Sequence, residues 1–86
     1  MAYKVRWSPE AADDLENIAE FISRDSDNYA RILVNKILQS TRNLPLFPYS
    51  GRMVPEFEEE SIREVFIYNY RLVYQIKDKH ILIIVT

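Results

Sequence analysis

The sequence predicts an α+β domain in the order β-α-α-β-β-β, with a helical hairpin packed on a mainly antiparallel sheet. Three observations carry this. Tyr3 to Trp7 alternates apolar and polar residues. Two amphipathic segments follow, joined by a short polar link. After residue 60, three strand-like runs, the last from His80 to Thr86, are separated by the turns Tyr68-Asn69 and Lys77-Asp78-Lys79. The periodicity thus changes from alternation to helical spacing and back again.

The first strand, Tyr3-Lys4-Val5-Arg6-Trp7, ends at Ser8-Pro9-Glu10. A hydroxyl at the N-cap, proline at the first helical position and acid in the first turn form a strong helix start. Ala11, Leu15, Ile18, Ala19 and Ile22 make one apolar stripe, and Asp13, Asp14, Glu16 and Glu20 fall mostly off it. Asp25-Ser26-Asp27-Asn28 breaks this helix and caps the next, whose stripe is Ala30, Leu33, Val34, Ile37, Leu38 and Thr41. Pro45 and Pro48 end the second helix, and Leu44 to Phe57 reads as a loop that holds the chain's single glycine, Gly51.

Ser61 to Ile67 is the next strand, Tyr68-Asn69 a two-residue turn, and Tyr70 to Ile76 the return strand. With that turn, Ile67 opposes Tyr70 and Phe66 opposes Arg71. One face then carries Val65, Ile67, Tyr70, Leu72, Tyr74 and Ile76 and is the floor for the helices. The other carries Ile62, Glu64, Phe66, Arg71, Val73 and Gln75, and is expected to stay largely uncovered. Arg63 falls on the helix side, within reach of the sheet edge. Ile81 to Val85 is apolar at every position, as in a central strand. The chain stops at Thr86, directly after that strand, which suggests an abrupt natural end or a shortened chain.

With 86 residues and 48% hydrophobic content, there is enough for one core and one domain, residues 1–86. Charged residues at 28% argue against disorder. Without cysteine there is no disulfide framework or thiolate metal site, and a cytoplasmic location is the simplest reading. No run approaches the ~20 apolar residues of a membrane span. A net charge of −2 argues against a general nucleic-acid binder. The charge is even along the chain: six Lys/Arg and seven Asp/Glu in residues 1–43, five and six in residues 44–86. An anion site must therefore be local.

One glycine excludes a P-loop or dinucleotide fingerprint, and one histidine beside a turn is read as a solvated turn residue. No metal or cofactor is expected. Glu58-Glu59-Glu60 reads as a solvated loop. The candidates that remain are Arg52, Glu56, Arg63 and Arg71. An arginine in a strand is costly unless it meets an anion. Arg52, Arg63 and Arg71 are therefore candidate target- or anion-binding residues. The structural reading beside it pairs Arg71 with Glu64, and Arg63 or Arg52 with Glu56. Glu56 and Arg71 are the only candidates for catalysis, as base and phosphate-stabilising cation.

The whole chain resembles the RelE/ParE superfamily of toxins from type II toxin–antitoxin systems. The resemblance lies in Val5-Arg6-Trp7-Ser8-Pro9-Glu10-Ala11, in Leu44-Pro45-Leu46-Phe47-Pro48 followed by Gly51-Arg52, in Val54-Pro55-Glu56, and in the pair Ile62-Arg63-Glu64 and Tyr70-Arg71-Leu72-Val73-Tyr74. It implies a toxin neutralised by a cognate antitoxin. ParE-like members inhibit DNA gyrase, whereas RelE-like members cut mRNA on the ribosome. Arg71 and Glu56 match positions of the ribonuclease members, but Ile62 and Glu64 stand where those carry catalytic lysines. The long helical hairpin and acidic balance are closer to the ParE branch, which acts by binding. An mRNA endonuclease and a shortened, non-toxic antitoxin-binding module are the alternatives. The antitoxin is expected on the open sheet face, at Glu64, Phe66, Val73 and Gln75.

Overall fold

The computed structural model describes residues 3–85. Met1, Ala2 and Thr86, and with Thr86 the expected abrupt end, lie outside the described residues. Among the described residues, the order is β1 (Lys4–Trp7), α1 (Pro9–Ser23), α2 (Asp27–Asn43), β2 (Arg52–Met53), β3 (Ile62–Ile67), β4 (Tyr70–Lys77) and β5 (His80–Val85). The α+β class and the helical hairpin are as the pattern predicts. The short strand β2 is an addition inside the segment read as a loop.

Ser8 caps α1, its hydroxyl accepting from the Ala11 amide at 3.0 Å, and Ser26 caps α2 in the same way through the Tyr29 amide at 3.1 Å. The sheet order is β1-β5-β4-β3-β2. Among the described strands only the β1–β5 pair is parallel: the helical hairpin carries the chain from β1 to β2 at the opposite edge, and the antiparallel run β2-β3-β4-β5 returns to pair β5 with β1. Ile67 opposes Tyr70 and Phe66 opposes Arg71, which is the register the Tyr68-Asn69 turn dictates. Tyr68 and Asp78 open the two tight turns with positive φ.

The helices cover one face of the sheet. Ala11, Leu33, Ile37 and Leu44 meet Ile67, Leu72, Tyr74, Ile76, Ile81 and Ile83 in the main core. β5 is central, as its apolar run predicts, yet Leu82 on its far side is exposed. The far face is not uniformly open. The segment after β2 folds over one end of it and buries Val54 against Ile62 and Val73. No helix of the described residues is long and apolar enough to cross a membrane.

Candidate functional site

The candidate residues converge at the β2–β3 end of the far face. Arg52 lies directly across from Glu64, and Arg71 directly across from Phe66. Side chains that oppose one another share a face, so Arg52, Glu64, Phe66 and Arg71 all point away from the helices. The Glu64 side chain is completely buried. A buried carboxylate is tolerated only when it is paired. Here one oxygen accepts from Arg52 Nε and the other from Arg71 Nη1 at 3.2 Å. The Arg52 guanidinium also rests over the Phe66 ring, 5.3 Å from its centroid.

Glu56 arrives from the covering loop. The Val54 amide donates to Ile62 O at 3.3 Å, the buried Val54 side chain anchors the segment, and Glu58 turns it with a φ of 50°. Glu56 then accepts from Arg71 Nη1 at 3.0 Å. This hydrogen bond holds the Glu56 carboxyl below its ordinary value, and the same bond raises Arg71. Two guanidiniums and two carboxylates therefore balance. The expected pair Arg71–Glu64 is present. The expected pair of Glu56 with Arg52 or Arg63 is not, because Glu56 lands on Arg71 and Arg52 is taken by Glu64.

Arg63 lies on the opposite side of the sheet. It donates to Glu60 O at 2.8 Å and to Gly51 O at 3.2 Å, and stacks on the Tyr49 ring. Nearby, buried Tyr74 accepts from the Gly51 amide at 3.1 Å and donates to Pro48 O at 2.7 Å. Burial pushes the Tyr74 phenol up. A Cβ at Gly51 would stand 2.7 Å from both Glu64 O and Tyr74 Oη, which explains the one glycine by close approach. Arg63 and Tyr74 thus fasten the α2–β2 connection to the sheet.

Of the residues expected to receive an antitoxin, Phe66 is exposed and Gln75 half-buried, but Glu64 and Val73 are buried. The sequence pattern could not foresee this, because Val73 is covered by Val54 from the loop and Glu64 lies under Arg52 and Arg71. Gln75 instead lines a cleft of about 210 Å³ with Arg6, Lys77, Asp78, His80 and Leu82. Arg6 and Lys77, which line this cleft, were not singled out in the sequence, although the two-residue spacing of Lys4 and Arg6 marks a common face. No group of three or more His, Asp or Glu among the described residues is arranged to hold a metal ion.

Among curated proteins, no sequence matches the chain. A solved structure from the chromosomal ParDE TA system of P. aeruginosa has the same fold, with a TM-score of 0.74 at 21% identity. The match covers 95% of this chain and 90% of that one. The family model for the ParE toxin of the type II toxin–antitoxin system parDE matches residues 5–86. That match spans every element from β1 to β5, and the chain belongs to the ParE toxin family.

Proposed function

We propose that this ParE-type toxin inhibits DNA gyrase by binding it in the cytoplasm, and that a cognate antitoxin neutralises it in a hetero-oligomer. Family membership supports the toxin class. The observation that carries the binding mechanism is the place of Arg71 between Glu56 and Glu64. Ribonuclease chemistry would need a free base and a cation open to phosphate. In this arrangement the one candidate base and the one candidate cation neutralise each other. A phosphate approaching Arg71 meets two carboxylates. Arg52, Phe66 and Arg71 keep enough exposure to touch a target, and are the contact residues we assign.

The test pairs a gyrase supercoiling assay with a translating-ribosome assay on the same purified protein. Supercoiling should be inhibited and mRNA should stay intact. Arg71→Ala should weaken the inhibition about tenfold, the scale of one charge-assisted contact. Position-specific mRNA cuts, abolished by Glu56→Ala or Arg71→Ala, would replace this reading with the nuclease one.

A further inference from the structure

The two helices of the hairpin carry opposite charge. α1 holds Glu10, Asp13, Asp14, Glu16 and Glu20 and neither lysine nor arginine. α2 holds Arg31, Lys36 and Arg42 against Asp27 alone. An apolar seam runs between them. It consists of two hollows, of about 370 and 360 Å³, that share Ala19 and Val34. Trp7, Ala12, Leu15 and Leu38 complete the lining of the second. The rim is charged by helix, with Glu16 and Glu20 on the α1 side and Arg31 on the α2 side. These three side chains and Ala12 are exposed, so the seam opens to solvent. Glu20 and Arg31 line the same hollow yet do not pair. Glu20 reaches Arg24 instead, at 3.8 Å and on the surface. Glu16, Arg31 and Arg42 make no ion pair among the described residues.

We propose that this face of the hairpin binds a second copy of the chain, as a symmetric bundle of four helices. A two-fold axis parallel to the helices lays each α1 antiparallel on the other copy's α2. Acid then meets base in both halves of the contact, and facing helix dipoles run in opposite directions. A two-fold axis across the helices would lay α1 on α1, five carboxylates against five, so the charges select the first arrangement. That axis keeps every residue at its own height along the hairpin. Glu20 of one copy therefore meets Arg31 of the other, and the pair occurs twice. Ala12 and Ala19 leave room for the second hairpin to settle onto the seam. The face is about 23 Å long and about 20 Å wide, so two copies bury roughly 1,000 Å² in total, the lower bound of a specific contact. A contact of that size holds a reversible dimer. The net charge of −2 on each copy opposes it little. The proposal concerns self-association and holds whichever target the toxin has.

Sedimentation velocity of the intact protein, from about 1 to about 500 µM, measures the association. The mean mass should rise from the 10.3 kDa of one copy towards that of two, and added salt should weaken the rise. Glu20→Arg should raise the dissociation constant at least about tenfold, and Arg31→Glu likewise, because each sets like charges against each other twice. The decisive sample is an equal mixture of these two variants. In it, position 20 of either variant meets the opposite charge at position 31 of the other. The mixture should form a heterodimer about as tightly as wild type pairs with itself. The chain carrying both substitutions should also pair again with itself. Circular dichroism checks the fold. If a reversal unfolds, Glu20→Gln and Arg31→Gln are measured and should each weaken the dimer. The proposal is overturned if wild type stays monomeric throughout the range, if these substitutions leave its association unchanged, or if the mixture associates no more than its components.

Discussion

Two titrating residues make opposite demands on pH. The buried Tyr74 phenol makes two hydrogen bonds that join β4 to the α2–β2 connection. Tyr74→Phe removes both and leaves the Gly51 amide unsatisfied, so it should cost about 1–3 kcal/mol in urea unfolding. Burial raises the Tyr74 pKa in the folded state. Its contribution is therefore complete below the ordinary tyrosine value, about 10, and lost as pH rises through the folded value. The Phe variant should show a flatter alkaline limb in a melting-temperature profile; an identical limb would count against this role. Glu56 behaves in reverse. Its hydrogen bond from Arg71 lowers its folded pKa. The stabilisation is present above the ordinary carboxylate value, about 4.3, and lost as pH falls through the folded value. Any melting-temperature advantage of wild type over Glu56→Gln at neutral pH should vanish below that range. An advantage that persists at pH values where Glu56 is protonated would show that packing, not the ion pair, holds the loop. The candidate residues themselves were legible in the sequence, because arginine and glutamate in strands demand partners. Their pairing was legible only for Arg71 with Glu64, which share a face one pair apart. Which partners Arg52 and Glu56 would meet depended on a loop path that no periodicity encodes.

The elements were the most legible level. Helix caps, apolar stripes and the Tyr68-Asn69 turn are local signals, and each fixed its element without tertiary help. β2 was not legible, since two residues, Arg52 and Met53, carry no period, and their pairing with β3 is decided across the sheet. The two helix caps are alike in sequence but not in context. Ser26 caps α2 at an exposed site. Ser8 caps α1 and also ties it to the central strand, its amide donating to Ile83 O at 2.9 Å and its hydroxyl to Ile84 O at 3.3 Å. β5 has a register shift against β4 opposite Val73 and Tyr74, so this tie holds the strand where its ladder is irregular. Ser26→Ala should cost about 0.5–1 kcal/mol, and Ser8→Ala about 1–2 kcal/mol. Equal losses in chemical denaturation would mean that the Ser8–Ile84 bond adds nothing beyond the cap.

At the scale of the whole molecule, one sheet separates two unequal cores. The larger lies under the helices and was legible as two facing apolar stripes and one strand face. The smaller, Val54 with Ile62 and Val73, lies under the loop that carries Glu56, and was not legible because the segment Met53-Val54-Pro55-Glu56-Phe57 has neither a helical nor a strand period. Size should translate into cooperativity. Ile37 is completely buried in the main core, and Ile37→Ala should cost about 2–5 kcal/mol, a large fraction of the ~5–15 kcal/mol stability of a typical domain. Amide exchange should then quicken across α2, β4 and β5 together. Val54 is equally buried, but its cluster comprises only Val54, Ile62 and Val73, and while the Val54 amide reaches Ile62 O, the Phe57 and Glu58 amides close back on Val54 O within the loop. Val54→Ala should open that loop alone, since segments with few buried apolar contacts unfold locally before the whole. Exchange should quicken at residues 54–62 while the global unfolding midpoint moves much less than for Ile37→Ala. The released loop would carry Glu56 away from Arg71 and break their ion pair. Uniform acceleration across the chain would show instead that the small core is part of one folding unit, and that Glu56 cannot leave Arg71 without unfolding the toxin.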